Sequence, residues 1–149
     1  MPIWEGMGNF EIHIYRLPTE AEWEKAARAG SEGSYPFPKD QLDSHAWYLK
    51  NSQERTHAFD NPQVQTVNGL SNMLGNVWEW VEDAYDKDYG LQDFKSVAVD
   101  PLVTTGSGRV IRGGSWFTDA GRLRSAGRGN DGPGYHGRVV GFRLVRSPR

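Results

Sequence analysis

The sequence contains no cysteine. Disulfides, thiolate metal sites and cysteine nucleophiles are excluded, while the redox compartment stays open, because a chain without disulfides folds in any of them. No apolar stretch approaches the roughly 18 residues that cross a bilayer, and the N-terminus MPIWEGMGNF lacks the basic region and apolar run of a secretory signal. The expectation is a soluble protein, cytoplasmic by default, with no membrane partner. Histidine is scarce: His13, His45, His57 and His136 include no pair at i and i+4, so zinc has no support. Ser115 lies in GGSWF, which is not the GxSxG elbow of a serine hydrolase. Lysine vanishes from the C-terminal part. Residues 109–149 carry nine Arg, no Lys and only Asp119 and Asp131, whereas residues 1–108 carry eight Lys or Arg against 17 Asp or Glu. An Arg-rich tail can face nucleic acid. Arg without Lys suits internal ion pairs better, since the planar guanidinium fixes geometry where lysine supplies a mobile point charge. Nucleic acid is therefore not the expected partner.

What the chain does have fits one domain. Its 149 residues suffice for a single core. Six Trp, six Tyr and six Phe with a net charge of -2 indicate a folded globule, and 18 Gly, well above the usual share of about 7%, indicate many turns.

One helix is secure in TEAEWEKAARAG: Thr19 caps it, Glu22 completes a capping box, and Gly30 ends it. Trp23, Ala26 and Ala27 share the face that packs. From Gly30 to Leu70 no period persists; SEGSYPFPKDQ reads as surface loop and HAWYLKNSQERTH carries aromatics without a helical stripe. Short strands are expected at 76–81, at RVIR (109–112) and at 139–145, where Val140, Phe142 and Leu144 alternate with Gly141, Arg143 and Val145. The fold class is α+β: a small, twisted, mostly antiparallel sheet, one or two helices and much ordered loop. Residues 116–138, with six glycines between two strands, read as a binding surface.

The stretch GNVWEW (75–80) raises the main chemical question. Glu79, Glu82, Asp83, Asp86 and Asp88 cluster along the sequence, and carboxylates with backbone carbonyls hold hard cations such as calcium. Three readings of Glu79 stand: a structural calcium ligand together with Asn76, a hydrogen-bonded strand glutamate, or a catalytic group. Trp78 and Trp80 are expected in the core, because large aromatics bury well. Gly113 and Gly114 are expected to form a tight turn beside Trp116.

RLPTEAEWEKAARAG (16–30), AWYLKNSQERTH (46–57), GLSNMLGNVWEWVEDAY (69–85), RVIRGGSW (109–116), LRSAGR (123–128) and VGFRLVR (140–146) together resemble the successive signatures of the formylglycine-generating, sulfatase-modifying-factor family. The resemblance implies a loop-rich variant of the C-type lectin fold over a single domain, 1–149, shortened at its N-terminus, with calcium at the GNVWEW segment. Formylglycine-generating enzymes use copper and a pair of cysteines; without cysteine no copper site is expected here. Relatives in thiohistidine biosynthesis hold iron with histidines of a further helical domain. A third group with this fold comprises the variable proteins of diversity-generating retroelements, whose segment after GGSW is rewritten to form a ligand-binding face.

That last likeness implies ligand-binding positions at Trp116, Phe117, Thr118, Asp119, Gly121, Leu123, Gly127, Gly129, Asn130, Asp131, Tyr135, His136 and Arg138, with Gly134 and Gly137 among them; the family's calcium at GNVWEW implies metal ligands at Asn76 and Glu79. The leading expectation is a non-catalytic binding module for a protein or peptide ahead of a small molecule. The alternatives are an oxidoreductase-like enzyme, with His136 as its first acid–base candidate aided by His13, His45 or His57, and a structural or assembly subunit. A homo-oligomer or a partner chain supplying N-terminal elements also stays open.

Overall fold

A computed structural model describes residues 13–88 and 102–148. The expectation of missing N-terminal elements concerns residues 1–15 and falls largely outside them. The described chain runs through strand β1 (His13–Arg16), helix α1 (Glu20–Arg28), a 3-10 turn (Lys39–Ser44), strands β2 (Trp78–Ala84) and β3 (Arg109–Arg112), a second 3-10 turn (Ala120–Arg122), and strands β4 (Arg128–Asp131), β5 (Val140–Phe142) and β6 (Val145–Pro148). The α+β architecture is as expected. One α-helix and two short 3-10 turns accompany two small sheets.

Helix α1 begins where its sequence requires. Thr19 Oγ1 accepts from the Glu22 amide and Glu22 Oε2 accepts from the Thr19 amide, so two orphan donors satisfy each other's residues. A third donor, the Glu20 amide, goes to Asp83 Oδ2 at 2.6 Å, which also places a negative charge at the positive helix end. The helix stops one residue before the expected glycine: Ala29 is already left-handed at φ 48°, with Gly30 following at φ 85°. Trp23 and Ala27 face inward and are buried.

The larger sheet has the order β4-β3-β2-β5. β2 pairs antiparallel with β3, as β3 does with β4, while β2 and β5 run parallel. β1 and β6 form a separate antiparallel pair. The expected strand 139–145 is thus two strands. β5 serves one sheet and β6 the other, and the intervening Arg143 turns aside to pair with Glu79, which ends the ladder.

Strand β2 corrects the expectation for its tryptophans. Its inward positions are Glu79, Val81 and Asp83, so the period-2 alternation turns Trp78 and Trp80 to the opposite face, where both are half-buried. The buried tryptophans are instead Trp23, Trp47 and Trp116. The core gathers Trp23, Ala27, Leu42, Ala46, Tyr48, Met73, Leu74, Val81, Val110 and Leu123, with much of it drawn from loops. Segment 46–57, which shows no period, supplies buried Ala46, Trp47 and Tyr48. Phe142 and Leu144, by contrast, are largely exposed.

Arg112 is the hub of an ionic frame. Its fully buried side chain lies over the Trp23 ring at 5.2 Å, places Nε 3.3 Å from Glu20 Oε1, and donates to Glu24 Oε2, to the Gly127 carbonyl and to the Ser125 carbonyl. Burial pulls the Arg112 pKa down, and the Glu20 and Glu24 carboxylates oppose this by favouring the charged form. Glu20, itself buried, also receives Arg128 Nε at 2.6 Å and Nη2 at 2.8 Å. The bidentate fork ties the helix to β4 across 108 residues of sequence.

Candidate functional site

The GNVWEW turn is built on close backbone approach. Gly75 (φ 78°) and Asn76 (φ 62°) are both left-handed, and a Cβ at Gly75 would overlap the Trp47 carbonyl. From this turn Gly75 N donates to Gly113 O at 2.9 Å, Asn76 N to Trp47 O at 2.7 Å, and Trp116 N to Asn76 O at 2.8 Å. The Asn76 side chain closes on a third segment, accepting from His57 N at 2.9 Å and donating to His57 O at 3.0 Å. Gly113 and Gly114 are left-handed as expected of a tight turn, and a Cβ at Gly114 would overlap Leu123.

Glu79 is buried and its carboxylate is fully engaged. Oε2 accepts from the Trp23 indole at 2.7 Å and from Arg143 Nε at 2.6 Å, while Oε1 accepts from Arg143 Nη2 at 2.6 Å. A calcium at this carboxylate would have to displace a guanidinium already bound in bidentate geometry, and one at Asn76 would have to displace the His57 amide. The donor set does not fit calcium. Among the described residues no group of three His, Asp or Glu side chains could hold a metal ion, so the acidic run from Glu79 to Asp88 is a cluster in sequence rather than in space.

The expected binding positions separate into those that face outward and those that hold the loop. Trp116 is buried; its Nε1 donates to Arg138 O at 3.1 Å and its carbonyl accepts from Ser52 Oγ at 2.9 Å. Phe117 meets Trp116 edge-on with ring centroids 5.5 Å apart and is 62% exposed. Arg138 lies over the Trp116 ring at 6.0 Å. Tyr135 and His136 are exposed on the loop before it, and the Tyr135 ring lies against Gly137. Asp119 and Gly121 are exposed around the second 3-10 turn, and Gly134 opens into space.

Other positions in the set are structural. Leu123 has no exposed surface and belongs to the core, where the apolar side chain closes over Gly114, so it cannot touch a ligand. Thr118 is buried, its Oγ1 accepting from Ser115 N at 2.9 Å and its carbonyl from Leu49 N at 3.2 Å. Gly127 leaves no room for a Cβ beside the Arg122 and Arg124 carbonyls, and Gly129 packs beneath Trp78 and Ile111. Asn130 and Asp131 sit on β4, an outer strand of the larger sheet, opposite Val110 and Arg109.

Trp116 and Arg138 share a cleft of about 280 Å³ with Glu54, Arg55 and Thr56. The sequence reading missed this second wall. Its signal was the polar run Gln53-Glu54-Arg55 between two segments that belong to the buried loop network. Two further depressions lie among the described residues. A polar one of about 600 Å³ includes Asp43, Trp47, Arg55 and His57, and an apolar groove of about 540 Å³ includes Trp80, Phe142 and Leu144. In the polar one, Lys50 and then Tyr48 hold Asp43 below the usual carboxylate range. Burial, reinforced by Asp43, pushes the Tyr48 hydroxyl up to about 12. The described histidine rings are separately engaged: His45 stacks on Phe37 and His57 on Trp47, while His136 Nδ1 is 3.1 Å from Gly134 O.

Comparison with known proteins agrees with this geometry. The chain is 38% identical to Treponema denticola variable protein 1, superposing with a TM-score of 0.77 over 87% of this chain and 46% of that one. It is 35% identical to the serine/threonine-protein kinase Pkn1 of Chlamydia trachomatis over 96% of this chain and 23% of that protein. With the formylglycine-generating enzyme of Thermomonospora curvata it shares 33% identity over 89% of this chain and 50% of that enzyme. The chain thus spans half the length of these relatives or less. No helix among the described residues is long and apolar enough to cross a membrane. The model for the sulfatase-modifying factor enzyme 1-like domain matches residues 3–148, and the chain belongs to that family.

Proposed function

We propose that the chain is a non-catalytic binding module that presents the exposed residues of 116–138 on a rigid loop scaffold. The observation that carries this reading is the likeness to Treponema denticola variable protein 1. Exposed Phe117, Tyr135, His136 and Arg138 accompany buried Trp116 in the segment that the resemblance to variable proteins implies is the ligand-binding face. Held by the Gly75–Asn76 turn and the Ser52–Trp116 hydrogen bond, this surface loses little conformational freedom when it docks, which favours binding. The partner fits a protein or peptide, since open surfaces with exposed aromatics recognise extended surfaces.

The absence of cysteine removes the sulfur pair on which the oxygen chemistry of formylglycine-generating enzymes depends. The bidentate hydrogen bonds from Arg143 to Glu79 argue against calcium at that carboxylate, and the cytoplasm is the setting we propose.

Surface display of the full chain and capture from an extract of its source, repeated with Phe117→Ala and Tyr135→Ala, tests the reading. Capture that depends on both aromatics supports it. Thiol-dependent oxygen consumption by the purified chain with copper or iron would favour the enzyme instead. Sequencing of the gene across close isolates tests the likeness to diversified proteins: changes should concentrate in codons 117–138.

A further inference from the structure

We infer that this surface recognises an acidic peptide, with one carboxylate seated between Arg55 and Arg138 beside Trp116. The inference rests on the binding reading above and supplies its ligand chemistry.

The two arginines line the same cleft although they lie in different segments. Neither has a carboxylate within 4.0 Å among the described residues, and Glu54, on the same cleft, forms no ion pair with either. Arg55 donates only to Gln53 Oε1, at 3.1 Å, and Arg138 only covers the Trp116 ring. By contrast Arg112, Arg128 and Arg143 each have a glutamate. Two arginines on one cleft, neither in an ion pair among the described residues, favour an incoming anion, and the planar fork suits the two oxygens of a carboxylate.

The turn that carries Arg55 is fixed in advance. Gln53 and Glu54 both hold a left-handed φ of 56°, which side chains other than glycine disfavour, so the surrounding contacts must impose it. Those contacts are on either side: Ser52 Oγ donates to Trp116 O at 2.9 Å, His57 N donates to Asn76 Oδ1 at 2.9 Å, and the His57 ring stacks on Trp47 at 3.7 Å. Arg55 is thereby tied to the backbone that presents Trp116.

Size and charge select the ligand class. The cleft, about 280 Å³, lies at the small end of the roughly 300–1,000 Å³ of ligand pockets and accommodates a single side chain of a larger partner. Exposed Phe117 then offers apolar contact to the neighbouring residues of that partner. A polyphosphate chain would carry further negative charge past Glu54 on a chain of net charge -2. An isolated carboxylate avoids this.

Selection of a random peptide library on the immobilised full chain at low salt tests the inference. Asp and Glu should be enriched over the input. Arg55→Gln and Arg138→Gln should each weaken the selected peptides about tenfold without lowering the melting temperature. Exchanging the peptides' acids for amides should weaken wild type equally and the Arg55→Gln variant no further. Neutral or basic binders that still depend on Phe117 would overturn the carboxylate while leaving the surface intact. Binders indifferent to both Phe117→Ala and Tyr135→Ala would overturn the surface itself. Tighter retention of a single-stranded oligonucleotide than of any acidic peptide would reassign the guanidiniums to phosphate, and a failure to enrich any peptide would overturn the inference outright.

Discussion

The arginines of this chain live in two different places. Arg112, Arg128 and Arg143 lie inside a frame of α1, β2, β3 and β4, where Glu20, Glu24 and Glu79 neutralise them. Arg55 and Arg138 border an open cleft and carry no partnered carboxylate among the described residues. The side chain is the same in both regions; burial separates the roles. In the frame, water is excluded from Arg112 and Glu20 and reduced around the rest, so the charges are matched and the guanidinium becomes a cross-link between distant segments. At the cleft, water solvates the charge at little penalty, which leaves it available to an incoming anion.

The contrast is most sharply tested at Arg112. Arg112→Met leaves the Gly127 and Ser125 carbonyls without their donor and Glu20 with Arg128 alone, and should lower the unfolding free energy by about 2–5 kcal/mol in urea denaturation. A change as small as that for an exposed site would mean that the frame is solvated and the division drawn above is wrong. Next in size is Glu79→Gln, which keeps an acceptor for the Trp23 indole but discharges the partner of Arg143; a loss of about 1.5–3 kcal/mol is expected. Because Arg143 occupies that carboxylate, adding a chelator should leave the melting temperature unchanged. A chelator-induced fall would show that a cation stabilises the native state and displaces the arginine.

A smaller, pH-dependent effect sits at the edge of the frame. The hydrogen bonds from Arg16, and then those within the capping box, outweigh desolvation and lower the Glu22 pKa from 4.5 to about 2. A depressed folded pKa contributes stability that is fully present above the unfolded value and lost as pH falls through the folded one. Acid titration should therefore erode stability between about pH 4.5 and pH 2, and Glu22→Gln should flatten that part of the curve. The Glu22 side chain is about one-third exposed, so solvent screening keeps the effect modest. The smallest change is expected on the cleft side. Phe117→Ala should alter stability by no more than about 0.5 kcal/mol while weakening any surface-dependent capture.

Much of this was legible in local sequence. The capping box of Thr19 and Glu22 announces α1 because its hydrogen bonds span only three residues. RVIR forms β3 over the residues expected. Arginine without lysine pointed to internal ion pairs, and three of the nine C-terminal arginines make them. Which residues of 116–138 are exposed was legible in part. Phe117, Tyr135, His136 and Arg138 are exposed as expected, whereas Leu123 and Thr118 turned inward, since a Gly-rich loop has no period by which to tell its two sides.

The sequence by itself determined the family, the helix and its N-cap, strands β2 and β3 to within a few residues, and the lack of any thiol chemistry, whereas β1 and β4 went unforeseen. Tertiary structure alone decided which tryptophans are core, what Glu79 holds, and where the second wall of the cleft comes from. Alternation along β2 identifies two faces but not the one that α1 will cover, so Trp78 and Trp80 could not be placed until the helix was. Glu79 and Arg143 stand 64 residues apart, and Arg55 meets Trp116 through an intervening sheet and turn. Such pairings arise from folding the whole chain into one volume, and no local spacing encodes them.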